Sequence, residues 1–322
     1  MRHKNPAPSS QARGFALVLV AAVFLSTTAI FIRYLTQAFS LPALVLAFWR
    51  DFFVVLTVLP VLAIAKPSLL RLDARHLPYL AMYGFVLAFF NASWTLSVSL
   101  NGAAVATVLA YCSGAFTAIL GRIFLKESLG WAKLAAVVMC LLGCALVAGL
   151  LELGSWKGNV AGVITGVLGG LAYALYSLMG RSASQRGLDP WTTLIYVFGF
   201  AGLFLLIVNL VPGAPLPGSS RTIADLLWLG SSWMGWLALF LLAAIPTVIG
   251  FGLYLVSLSI LPSSVASLIV STEPVFTAII AYLLLGERLT PVQLAGAALI
   301  LGGVLVLRLF EGREAGTPSG AS

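Results

Sequence analysis

Charge is what this 322-residue chain has least of: Asp, Glu, Lys and Arg make up 9% of it. A water-soluble domain carries about 25%, so these side chains cannot cover the surface of one, and a mean hydropathy of +1.06 agrees. Histidine is scarcer still, with only His3 and His76, both outside the long apolar runs. A histidine-based triad or an intramembrane metal site is excluded on that ground, and neither a His-Glu-x-x-His pattern nor a phosphate-binding P-loop occurs. The three cysteines, Cys112, Cys140 and Cys144, form no paired framework and no metal spacing, and read as small packing residues. Paired acidic catalysts are missing too, because Asp51 stands alone beside Arg50 in its run. The chain therefore offers no catalytic residue, no metal ligand and no cofactor motif.

Long apolar runs are what it has in abundance, and each is long enough to cross a bilayer. They predict an all-α integral membrane protein with ten spans, near 14–32, 42–64, 77–99, 103–124, 131–150, 159–180, 190–210, 236–258, 263–285 and 291–308. The first span is read as uncleaved, since Arg33-Tyr34 rather than a small-residue cleavage site follows it. Residues 1–13 and 311–322 read as polar tails, the second one disordered. One longer connection, 212–235, has a middle (222–229) suited to a short surface helix. Net charge is +8, but in a membrane protein the placement of basic residues matters more than their sum, so no nucleic-acid partner is implied. Thirteen Lys and Arg fall on the side of the amino terminus and four on the other (Arg33, Lys157, Arg221, Arg288), which places both termini in the cytoplasm of a plasma membrane. Trp131, Trp156, Trp191, Trp228, Trp233 and Trp236 lie at span ends or in loops, where an amphipathic ring prefers to sit.

The chain also repeats itself. Residues 101–150 and 261–310 agree at 13 of 50 aligned positions, most densely where Phe116-Thr117-Ala118-Ile119 meets Phe276-Thr277-Ala278-Ile279. Leu125, Glu127 and Leu129 then meet Leu285, Glu287 and Leu289. At a second offset, Gly14, Arg33, Gln37 and Pro42 meet Gly162, Arg181, Gln185 and Pro190. Two repeats follow, 14–151 and 159–310. Five spans in each is an odd number, so the second must insert inverted relative to the first.

The stretch Glu273-Pro274-Val275-Phe276-Thr277-Ala278-Ile279, with Leu285-Gly286-Glu287-Arg288-Leu289-Thr290-Pro291, Gly296 and Leu301-Gly302-Gly303 beyond it, resembles the closing segment of the drug/metabolite transporter superfamily, EamA type. Leu125-Lys126-Glu127-Ser128-Leu129 looks like a degraded copy, and Arg50 resembles the arginine usual in that family's second span. The resemblance covers nearly the whole chain. It implies ten helices in two inverted five-helix repeats, and transport of small metabolites or drugs, most often export.

Few side chains are candidates for chemistry. Glu273 lies in the ninth span, where an ionised carboxylate costs about 3 kcal/mol on insertion scales. Pro274 removes a backbone donor beside it, so the pair reads as an interrupted helix at a wet cavity, for proton or cation coupling. The alternative is a structural glutamate bonded to the backbone that Pro274 frees. Arg50, about 10 Å below the outer boundary at 1.5 Å per residue, suits a substrate carboxylate or phosphate; the alternative is a snorkelling side chain. Asp51 projects about 100° away around the helix and is read as a poor partner for it. Asn91, Trp94, Thr95 and Val98 share a face of span three, and Thr107 and Tyr111 one of span four. Tyr173, Tyr176 and Tyr254 add phenols, while Trp49 and Trp94 are read as aromatic walls near Arg50. Such a lining suits a zwitterion with an apolar side chain; singly, each is equally suited to bonding helix to helix. Gly162, Gly166 and Gly170 form a stripe for close helix approach, and Ser263, Ser267 and Ser271 a narrow polar one. Thr290-Pro291 reads as a helix start, Pro246 as a kink, and Glu127 and Glu287 as structural.

The favoured expectation is a secondary or facilitative carrier of small organic metabolites, amino acids and among them aromatic ones in the lead, with the lipid bilayer as its other partner. A homodimer is compatible with the sequence. The competing classes are an intramembrane enzyme and a receptor or scaffold without flux.

Overall fold

Proline and small polar residues set the helix ends. Pro190 opens one helix behind Asp189, whose side chain accepts from the amides of Trp191 and Thr192. Pro291 opens another behind Thr290, which exchanges hydrogen bonds with Gln293 in a capping box. The computed structural model describes residues 8–113, 116, 119–120, 131–147, 160–211, 216–220, 222–258, 269–270 and 272–314. All regular structure among these residues is helical: α1 (Pro8–Ala38), α2 (Ala43–Ala65), α3 (Leu77–Asn101), α4 (Ala103–Ala110), α5 (Trp131–Val147), α6 (Val160–Gln185), α7 (Pro190–Leu210), α8 (Trp233–Leu242), α9 (Phe251–Leu258), α10 (Glu273–Leu285) and α11 (Pro291–Glu314). Six stretches among the described residues are long and apolar enough to cross a membrane: Ala12–Ala38, Ala43–Ala65, Ala74–Asn101, Val160–Gly180, Pro190–Leu210 and Trp233–Tyr254.

The exterior is unlike that of a soluble protein. Leu56, Val61, Ile64, Phe85, Leu203, Ile207, Leu283 and Leu284 are exposed, while Ser26, Arg50, Asp51, Asn91, Ser93, Ser97 and Thr107 are buried within an otherwise apolar core. An apolar exterior suits a lipid solvent, where buried polar groups look for partners inside the bundle.

The helices pair in a definite pattern. α2 lies along α7, α5 along α11, and α4 against α10. α3 packs on α6 and α7, α1 on α9 and α10, α6 on α4, and α2 on the segment between α8 and α9. That segment, Ala243–Gly250, is π-helical and joins α8 to α9 without interruption. Pro246 has no amide to give to the carbonyl of Leu242, and the Thr247 hydroxyl donates to it instead at 3.0 Å. The expected kink is thus a wide-wound turn. The glycine stripe of α6 meets α3 and α4: a Cβ at Gly166 would lie 2.8 Å from Ser97 Oγ, and one at Gly170 2.6 Å from Cys112 Sγ.

Each end of the bundle is tied. At one end, Glu287 accepts from the amides of Ala103 and Ala104 at 3.2 Å and pairs with Arg33 Nε at 3.2 Å, while Arg33 also donates to the Ser99 carbonyl. Gly102 allows this, with a left-handed φ of 88° and no room for a Cβ beside Glu287. Glu287 is therefore structural in this conformation, holding α1, α3, α4 and α10 together. At the other end, Thr192 and Tyr196 donate to the carbonyls of Leu69 and Leu70, and Arg186 lies over the Tyr79 ring at 4.3 Å.

Some boundaries differ from expectation. α1 begins at Pro8, a residue suited to the first helical turn, and α11 reaches Glu314, so each passes the expected limit. The fourth span is not continuous: α4 ends at Ala110 and the chain turns at Tyr111 and Cys112. Residues 222–229 carry a 3₁₀ turn, Ile223–Leu227, with a Thr222/Asp225 capping box. Glu127, Trp156, Ser263, Ser267 and Ser271, and the side chains of Cys140, Cys144 and Arg181, lie outside the described residues.

Candidate functional site

Where α4 stops and α10 starts, the two helix ends face each other. The Tyr111 hydroxyl, at the turn that closes α4, is shared between the Val270 carbonyl at 2.9 Å and Glu273 Oε2 at 3.0 Å. Glu273 is the first residue of α10 and Pro274 follows in the first turn, which fits the interruption expected there. These ends border a narrow cavity of about 80 Å³ that is partly open to the surface.

Most of the helices contribute a wall. Leu25 and Thr28 come from α1, Arg50 from α2, and Leu87, Phe90, Asn91 and Trp94 from α3. Thr107, Ala110 and Tyr111 come from α4 and its end, Tyr173 and Tyr176 from α6, and Phe198 from α7. Thr247 is supplied by the π-helical segment, Phe251 and Tyr254 by α9, and Val270 and Glu273 by the start of α10. Neither α5 nor α11 reaches it among these residues.

One wall is a ladder of rings. Trp94 stacks on Phe90 at 6.0 Å, Phe90 meets Tyr173 at 5.3 Å, and Tyr173 stacks on Tyr176 at 6.3 Å. The lining also holds a guanidinium, Arg50, and a carboxyl, Glu273. Arg50 is 3% exposed, and among the described residues its one partner is Asp51, whose Oδ1 lies 3.4 Å from Nε. The terminal nitrogens make no hydrogen bond with any described residue, and Arg50 lines the cavity.

Of the expected substrate contacts, Arg50, Asn91, Trp94, Tyr111, Tyr173, Tyr176 and Tyr254 meet at this cavity, together with Glu273. Trp49 does not. One position from Arg50 turns its ring elsewhere: the indole donates to the Leu226 carbonyl at 2.6 Å and packs edge-on to Trp236 at 4.9 Å. Pro274 is buried beside the cavity without lining it, and Val98 sits in the apolar core. Thr95 is buried, and its hydroxyl has no partner among the described residues.

Asp51 is the larger correction. It was expected to point away from Arg50, yet the long guanidinium stem curls back along its own helix to reach it. Asn91 completes the cluster, its amide 2.8 Å from each Asp51 oxygen. Phe90, Phe198, Thr247 and Phe251 were not anticipated. Thr247 and Phe251 recur at helical spacing before Tyr254, and Phe198 occupies the position related to Arg50 at an offset of 148 residues; those were the signals available.

Two consecutive matches decide the family. The EamA-like transporter family matches residues 12–149 and again residues 160–309. The chain belongs to that family. An uncharacterised transporter of Archaeoglobus fulgidus is 26% identical over 295 residues, covering 91% of this chain and 95% of its own. The uncharacterised inner membrane transporter YicL of Salmonella typhimurium is 25% identical, covering 95% of this chain and 98% of its own. One solved structure shares the fold with a TM-score of 0.60 at 18% identity, covering 95% of this chain and 99% of that one. This EamA family member is a multi-pass membrane transporter, and the names of its relatives describe transport rather than catalysis.

Proposed function

We propose that this chain is a secondary carrier that exports small organic metabolites, with amino acids, aromatic ones above all, as its favoured cargo. The observation that carries this is the cavity lining, which brings together a guanidinium, a carboxyl and stacked rings. A zwitterion fits that arrangement, its carboxylate on Arg50, its ammonium on Glu273, and its apolar part against Trp94, Tyr173 and Tyr176. Proton exchange at Glu273 then biases which face of the cavity is open.

The carrier mechanism is alternating access between two inverted five-helix repeats, 14–151 and 159–310, in a plasma membrane with both termini cytoplasmic. The pairing of helices supports it. Exchanging α1 with α6, α2 with α7, α3 with α8–α9, α4 with α10 and α5 with α11 maps the contacts onto one another. The α3–α6 pair becomes α1 with α8–α9, α4–α6 becomes α1–α10, and α3–α7 becomes α2 with the α8–α9 rod. The interruptions support it too, since Cys112 at the end of α4 and Thr272 before α10 stand 160 residues apart, the offset of the repeat. Broken helices at matching places in two inverted halves are the usual pointer to a transport site.

Reconstitution in liposomes with labelled phenylalanine, tyrosine and tryptophan, with and without a pH gradient, tests the proposal. Saturable flux that responds to the gradient in wild type and loses that response in Glu273→Gln is the expected result. Absence of any amino-acid flux sinks the cargo assignment, and hydrolysis of a lipid or peptide would favour the enzyme class instead.

A further inference from the structure

The nearest carboxyl to Arg50 is Asp51, which is wholly buried behind it. The pair divides the guanidinium in two. Its Nε faces Asp51 at 3.4 Å, its terminal nitrogens make no hydrogen bond to any described residue, and Arg50 lines the cavity. An entering anion therefore meets the open edge while Asp51 still holds the other.

Charge counting then becomes restrictive. With Asp51 ionised, the Arg50–Asp51 pair is already neutral, and a bound carboxylate adds one uncompensated negative charge among aromatic rings. Unpaired charge in such surroundings is strongly disfavoured. With Asp51 protonated, guanidinium and ligand pair one to one. Asn91 serves either state, because its amide donates to a carboxylate and, turned over, accepts from a carboxylic acid.

We infer that Asp51 takes up one proton from the cavity water when an anionic group binds the open edge of Arg50, so that anion and proton occupy the site together. This rests on the binding site proposed above and adds to it a second coupling group, distinct from Glu273, which is held by Tyr111. The other groups that face Asp51 do not supply the balance. Among the described residues Arg50 is the only cation it meets. From α6 the phenol of Tyr176 lies within electrostatic reach. From α7 comes Gly202, where a Cβ would sit 3.8 Å from that of Asp51, and the sole ionisable side chain of α7, Tyr196, is bonded to the Leu70 carbonyl.

The probe is 3-phenylpropionate, an aromatic carboxylate without an amine, titrated by calorimetry into the purified full-length protein in buffers of different ionisation enthalpy. Wild type should bind about one proton per anion, with the dissociation constant rising about tenfold for each pH unit on the alkaline side. Asp51→Asn should bind the anion with no proton uptake and a flat pH profile. Uptake retained in Asp51→Asn places the proton elsewhere and overturns the inference. A flat profile in wild type overturns it without any variant, so a poorly folding Asp51→Asn leaves the test intact. Failure of 3-phenylpropionate to bind also overturns it, whereas phenylalanine flux, measured separately, is untouched by that result.

Discussion

Pro246 and Thr247 show how much one side chain can settle in a bilayer, where no water stands by to satisfy a carbonyl. Thr247→Val removes the hydroxyl donated to the Leu242 carbonyl, and should cost about 1 kcal/mol. A lower thermal midpoint in detergent is the expected reading; an unchanged one would show that the π-helical turn satisfies that carbonyl by itself. Arg50 is the corresponding test for binding. Arg50→Gln should weaken binding of phenylalanine about tenfold or more, close to 1.4 kcal/mol, and Arg50→Lys should restore little, because an ammonium offers no planar fork. At this scale the sequence was informative wherever burial is expensive. Arg50 and Glu273 stand out because an ion inside an apolar run requires an explanation. Trp49 was misplaced because a ring in a lipid-facing chain serves packing as readily as binding, and its neighbour Trp94 looks no different in sequence. The Asp51 error has another cause: angular position on a helix describes Cβ directions, and a guanidinium on three methylenes is not bound by them.

Among the elements, α6 carries a clear structural requirement. A Cβ at Gly166 would come within 2.8 Å of Ser97 Oγ and 2.9 Å of Leu109 Cδ1, whereas one at Gly199 on α7 would meet nothing within 4 Å. Gly166→Ala should therefore destabilise by about 1–3 kcal/mol, and Gly199→Ala should stabilise by roughly 0.5–1 kcal/mol. Melting the two variants side by side checks both signs, and equal effects would contradict the packing described for α6 against α3 and α4. The stripe was legible because small residues every fourth position have few other uses in a membrane helix. Helix locations were legible from apolar length alone, since α2, α3 and α7 end within two residues of the expected limits. The turn at Tyr111 and Cys112 was not. Neither proline nor glycine lies within α4 to mark it, and Tyr111 is bonded to the start of α10, a contact 162 residues away. Local sequence has no access to such a partner. The π-helical winding was half legible: Pro246 announced a distortion, but its kind depended on Thr247 reaching back five residues.

For the whole molecule, the proposal of a carrier that opens to one face and then the other rests on the repeat, the family match and the cavity. The end closed by Arg33, Glu287 and the amino terminus of α4 has to part for the cavity to open there. Thr107, on the cavity wall and 2% exposed, reports on that directly. In a background with Cys112, Cys140 and Cys144 replaced by alanine, Thr107→Cys can be labelled in oriented vesicles by a membrane-impermeant maleimide from one face at a time. Labelling from either face is the expected result, with reaction from both slowed by bound phenylalanine. Labelling confined to one face, with phenylalanine flux still running, would contradict a cavity that alternates between the two sides.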